Sequence, residues 1–136
     1  MPRHLRNLLA AFVFLLAVDI AYGVYGALEF PDEEAEVRAI LIATNALAVV
    51  IYALIICVVY AFRERASWAM PCLQTITVVN TIVLAASLFF TFNDASQLSA
   101  WDGIHAARDV LEIATCCALW LTLRKTSTRN WFAARN

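Results

Sequence analysis

The 136-residue chain is long enough for one domain, yet 62% of its residues are hydrophobic and its mean hydropathy is +0.71, well above the apolar share of a soluble domain. Only 15% of residues are charged, the formal net charge is -1, and Gly and Pro number three each, which excludes a disordered chain, a loop-rich secreted scaffold and a basic nucleic-acid surface. The expected solvent is the lipid bilayer and the expected class all-α, because helices satisfy their own backbone polar groups in hydrocarbon.

Four runs of roughly 20 mainly apolar residues, the length that crosses hydrocarbon, follow one another. The first, residues 8–28, is interrupted by Asp19. Its start, "MPRHLRNLLAAFVFLLAV", has the basic head and apolar core of a signal peptide, but Asp19 and the continuation to Leu28 suit a retained span better. The second, 39–62, carries Asn45 as its one amide, and the third, 71–92, carries Gln74 and Asn80. Pro71 fits the first turn of the third helix, where a missing N–H costs little.

The fourth run, 103–123, is clean in its second half and charged in its first, "HAARDVLE". The segment alone could be read as an interfacial amphipathic helix. An even number of spans, however, puts both basic termini on one side, and short loops between the runs predict an integral membrane four-helix bundle, up-down-up-down.

Orientation follows the basic residues. Arg3 and Arg6 precede the first run, Arg63 and Arg65 lie between the second and third, and Arg124, Lys125, Arg129 and Arg135 form a basic tail over 124–136. The loop "EFPDEEAEVR" between the first two runs is acidic. The positive-inside rule therefore makes both termini cytoplasmic and the acidic loop external. Trp101 at the outer end and Trp68, Trp120 and Trp131 near the inner end suit the interfacial belts.

Within "HAARDVLE", a helical turn of about 100° per residue puts His105, Arg108, Asp109 and Glu112 in an arc of roughly 100°. His105 with Asp109 and Arg108 with Glu112 are (i, i+4) neighbours, so the stripe can partly neutralise itself. Turned to lipid, each central charge costs about 2.5 to 3.5 kcal/mol, so the stripe must face the bundle interior, a water-filled vestibule or a partner protein.

Asp19, Asn80 and Glu112 fall near the middle of their runs and Asn45 somewhat outward, which predicts an outward-opening polar cavity narrowing toward Asp19 and Glu112. Tyr22, three residues after Asp19, and Tyr52, seven after Asn45, are placed to line it. Gly23 and Gly26 would let another helix approach closely. Taken singly, Asn45 and Asn80 also read as ordinary interhelical hydrogen-bond partners, whereas ionisable groups at the depth of Asp19 and Glu112 are functional by default. If those two carboxyls meet, they are expected to hold a proton between them.

Enzyme chemistry has little to stand on. The chain has no phosphate-binding glycine loop, no His-Glu-x-x-His and no framed Ser or Cys nucleophile. Asp32, Glu33, Glu34 and Glu36 lack the ordered spacing of a calcium loop. Cys57, Cys72, Cys116 and Cys117 form no Cys-x-x-Cys and read as small apolar packing residues, so neither a metal nor a cofactor is expected.

"FRERASWAMPCLQTITVVN", with its basic loop, Pro71 and Asn80, together with the end "LWLTLRKTSTRNWF", resembles a family of small bacterial four-span inner-membrane proteins of unknown function. In that family the last span starts near an Arg, contains a Trp, and leads to a Ser-x-Arg tail closed by an aromatic residue; the matching positions here are Arg108, Trp120, Ser127, Arg129 and Phe132. The tail departs from the pattern in carrying Asn130 and Trp131 before Phe132 and fewer residues after the Arg. The resemblance covers about the second half of the chain. It implies a bacterial inner-membrane setting and four spans, and no activity.

Two functions remain. The first is a non-enzymatic interaction module, an accessory, regulatory or immunity-type protein that binds a membrane partner through Arg108, Asp109, Glu112 and the acidic loop. The alternative is a small proton-linked transporter or channel, a homodimer because four short helices enclose little volume, using the midplane carboxylates of Asp19 and Glu112. The absence of broken helices and of an internal repeat favours the module.

Overall fold

A computed structural model describes residues 1–29, 35–93 and 100–134, with side chains described at all of these except 26–29, 35–38, 41, 91 and 100–102. The chain is all-helical over these residues. The helices are α1 (Arg3–Glu29), α2 (Ala35–Arg63), α3 (Ala69–Asn93), α4 (Ala100–Arg124) and α5 (Thr126–Ala133). The first four contain the four apolar runs and begin two to five residues before them. The added residues continue each helix beyond the length hydrocarbon requires.

Three segments are long and apolar enough to cross a membrane: Arg3–Tyr25, Ile42–Arg63 and Ala69–Phe90, with mean hydropathies of 2.1, 2.6 and 1.8. Their outward faces are built of large apolar side chains. Phe14, Leu54, Ile82 and Phe90 are each more than half exposed. In water each such side chain forgoes about 1.5 to 3 kcal/mol of burial, whereas beside lipid tails it forgoes nothing. These faces mark a membrane protein.

The four long helices form a ring of contacts, α1 touching α2 and α4, and α3 touching the same two. At one end of the ring lies a dry core. Leu5, Leu9, Phe12 and Leu16 recur along one face of α1 at the three- and four-residue spacing of a buried helical stripe. They meet Ile55, Val59 and Phe62 of α2, Ala69 and Leu73 of α3, and Leu119 and Leu123 of α4.

The fifth helix is the first departure from expectation. Residues 124–136 read as a basic tail, but 126–133 form α5, which turns back and inserts Phe132 into the core. Phe132 stacks on Phe62 with ring centroids 5.4 Å apart, and Trp131 packs on Phe62 at 5.8 Å. The α2–α3 turn faces the same end. Arg65 ends α2 in the left-handed conformation (φ 60), with Arg65 N–H donating to the Phe62 carbonyl at 3.0 Å and Ala66 N–H to the Ala61 carbonyl at 2.9 Å. That is a Schellman closure with Arg at the position where Gly is usual. The Arg65 guanidinium lies 4.5 Å from the centre of the Trp131 ring, so the strained turn also clasps α5.

Candidate functional site

Beyond the dry core the bundle becomes polar. A cavity of about 340 Å³ opens between the helices, lined by Asp19, Tyr22 and Gly23 of α1, Asn45 and Tyr52 of α2, Asn80 of α3, and His105 and Arg108 of α4. Ala48, Val49, Val83 and Leu84 complete its apolar walls. Seven of the nine residues singled out in the sequence thus line one space. The other two, Asp109 and Glu112, are packed among the helices with 4% and 1% exposure. The stripe of α4 therefore faces inward.

Its charges do not pair as helical spacing suggests. Neither His105 with Asp109 nor Arg108 with Glu112 forms an ion pair among the described residues. Arg108 instead binds its neighbour Asp109, with Nη2 2.7 Å and Nε 3.2 Å from Oδ1, and reaches across to α1, where Nη1 lies 3.2 Å from Asp19 Oδ1. The approach to Asp19 is an ion pair without the alignment of a hydrogen bond. A second carboxylate on a neighbouring helix competes for the guanidinium, and a bridge between two acids compensates more charge than one exposed (i, i+4) contact.

Hydrogen bonds from α2 and α3 hold the acids. Tyr52 donates its hydroxyl to Asp19 Oδ2 at 3.4 Å, Ser87 donates to Asp109 Oδ2 at 3.3 Å, and Asn80 donates to Glu112 Oε1 at 2.6 Å. The Asn80 amide also lies 3.6 Å from the Cys116 sulfur. Ser87 was absent from the sequence reading; it sits two turns along α3 from Asn80, and that (i, i+7) spacing was the available signal. Glu112 Oε2 and Asp19 Oδ1 are buried and receive no hydrogen bond.

The aromatic and glycine positions shape the wall. His105 meets the Tyr22 ring edge to face at 5.0 Å, and the Arg108 guanidinium lies 5.9 Å from the same ring centre. Asn45 donates to the Gly23 carbonyl at 3.0 Å, and a Cβ on Gly23 would come within 2.6 Å of Asn45 Oδ1. Gly23 is therefore what lets α1 and α2 close over the cavity at this level. The acidic segment 31–34 and the side chains of Glu36 and Trp101 lie outside the described residues.

Among the described residues the site sets three carboxyl groups against one guanidinium. In an apolar surround such an imbalance calls for a proton or another small cation. The comparisons give no match to any family model, curated protein or solved structure.

Proposed function

We propose that the chain is a small proton-linked transporter or channel, non-enzymatic, with four spans running up-down-up-down and both termini on the cytoplasmic side of a bacterial inner membrane. The observation that carries this reading is the inward stripe of α4: Asp109 and Glu112 are enclosed among the helices, and Arg108 bridges Asp109 to Asp19 of α1 beside the cavity. Glu112 Oε2 is buried without a donor and Asp19 Oδ1 has only the Arg108 guanidinium beside it, so the enclosed acids outnumber their cation and are best satisfied by a proton or another small cation. A site that must hold such an ion, and that opens to a 340 Å³ cavity, has the parts for exchanging it.

The fourth span draws support from the other side of α4. Ile104, Val110, Leu111 and Leu121 are each more than half exposed. An average over the whole helix hides this, because Arg108, Asp109 and Glu112 in its middle point inward. The up-down order draws support from the pairings, in which rising residue numbers on one helix meet falling numbers on the next: Gly23 with Asn45 and Asp19 with Tyr52, then Asn80 with Glu112 and Ser87 with Asp109.

The interaction-module reading asks the same residues to meet a partner outside the bundle. Asp109 and Glu112, almost fully enclosed, are poorly placed for that. Proton flux into liposomes under an imposed potassium diffusion potential, read with an internal pH dye, separates the two. Wild type is expected to exceed empty liposomes, and Asp19→Asn and Glu112→Gln each to fall to the empty-liposome rate. Wild-type flux equal to that of empty liposomes, or full flux in both variants, would return the module to first place.

A further inference from the structure

On the outer face of the bundle, between α3 and α4, runs a groove of about 330 Å³ whose lining is almost wholly apolar. Val78 and Ile82 of α3 and Cys117, Trp120 and Leu121 of α4 wall it. Its hydroxyls are already spent, since Thr77 donates to the Gln74 carbonyl at 2.9 Å and Thr81 to the Thr77 carbonyl at 2.8 Å. The groove offers a guest dispersion contact and no polar bond.

One turn nearer the chain termini the character of the same face reverses. A polar pocket of about 380 Å³ is lined by Met70, Pro71 and Gln74 of α3, Arg124 at the end of α4, and Arg129 of α5. The two spaces adjoin: Gln74 precedes Thr77 by one turn, and Arg124 follows Trp120 by one turn, its guanidinium 4.6 Å from the Trp120 ring centre. Among the described residues no carboxylate pairs with Arg124 or Arg129. The return of α5 brings the second arginine beside the first, so the pocket depends on a helix that a disordered tail would not supply.

We propose that this face binds one anionic phospholipid, its phosphate held by Arg124 and Arg129 and an acyl chain laid along the α3–α4 groove. Cationic pockets at the cytoplasmic ends of spans attract anionic head groups, and the inner-end placement of this one follows from the basic termini. A free phosphate would use the arginines but leave the groove uncovered. A zwitterionic lipid would fill the groove but bring its own cation to the arginines. Only an anionic phospholipid matches both halves. The inference rests on the spanning arrangement of α3 and α4 and not on proton exchange at Asp19 and Glu112. Because the two tests use different residues, either can fail alone.

Native mass spectrometry of the full chain, released from detergent with graded phosphatidylglycerol, phosphatidylcholine or glycerol 3-phosphate, tests it. Phosphatidylglycerol is expected to give a 1:1 adduct at least tenfold tighter than phosphatidylcholine, and glycerol 3-phosphate none. The double variant Arg124→Gln, Arg129→Gln is expected to lose that preference. Cys117→Phe, at an exposed position in the groove, is expected to weaken phosphatidylglycerol binding severalfold with both arginines intact. Equal binding of the two lipids, binding of glycerol 3-phosphate as tight as that of the lipid, or unchanged affinity in both the arginine and the Cys117 variants would overturn the site.

Discussion

The two halves of the bundle are built from the same four helices and solve opposite problems. Toward the termini, Leu5, Phe12, Phe62, Leu73, Leu119 and Phe132 fill the interior with apolar side chains. Toward the other end, the equivalent interior positions carry Asp19, Asn80, Asp109 and Glu112 around an open cavity. In lipid the apolar half gains little from burial as such, so its stability comes from close packing of side chains. The polar half contributes less packing and must satisfy each charge internally. The dry end thus acts as the clamp that lets the same helices stand apart at the other.

Phe62→Ala should break the comparison at its strongest point. Phe62 is fully buried and stacks on Phe132, with Trp131 alongside, so its truncation opens a cavity and releases α5 together. The expected loss is about 3 to 5 kcal/mol, read as a lowered midpoint in detergent-based unfolding titrations. If the halves have the roles assigned to them, the fraction still folded should retain its proton flux per molecule. A stable Phe62→Ala protein with flux abolished would mean that the dry end takes part in the exchange.

Arg108→Ala acts from the other end. It strands Asp19 and Asp109, whose side chains are 10% and 5% exposed, and should cost about 3 kcal/mol, the low end for a broken buried pair because Arg108 itself keeps 24% exposure. The triple variant Arg108→Met, Asp19→Asn, Asp109→Asn removes the charges together and should recover most of that stability while remaining without flux. Such a separation would show that the charges serve exchange and that packing elsewhere holds the fold. A triple variant as unstable as Arg108→Ala would instead make the polar cluster structural.

How much of this was legible in the chain follows the range of the forces involved. The charged arc of α4 repeats at helical spacing, so its existence was local information, whereas its choice between the bundle interior, a vestibule and a partner protein depended on the other helices. The partner of Arg108 was not local information either, because Asp19 competes from another helix and no spacing rule within α4 reports it. The dual role of Asn80, with its (i, i+7) companion Ser87, was half legible: the amide stands out in an apolar run, whereas a serine there reads as neutral. The basic tail concealed α5 because its net charge dominates its composition. Thr128, Trp131 and Phe132 do recur at three- and four-residue spacing, but eight residues are too few for a periodicity argument against that charge.

The smallest effect sharpens the comparison most, because its sign depends on one neighbour. Gly23→Ala adds a Cβ within 2.6 Å of Asn45 Oδ1, so the amide must rotate and surrender its 3.0 Å bond to the Gly23 carbonyl. An interhelical hydrogen bond in a membrane bundle is worth about 0.6 kcal/mol, and the displaced side chain adds to the loss. Against this, Ala is favoured over Gly inside a helix by about 0.8 to 1 kcal/mol. In the wild-type background the two nearly cancel, and a net change within about 1 kcal/mol is expected. In an Asn45→Ala background the obstruction and the bond are both gone, so the same Gly23→Ala substitution should stabilise by up to about 1 kcal/mol. A double-mutant cycle in unfolding titrations measures the difference. If Gly23→Ala has the same effect in both backgrounds, the approach of α1 to α2 is set elsewhere, and the cavity owes its shape to the dry end alone.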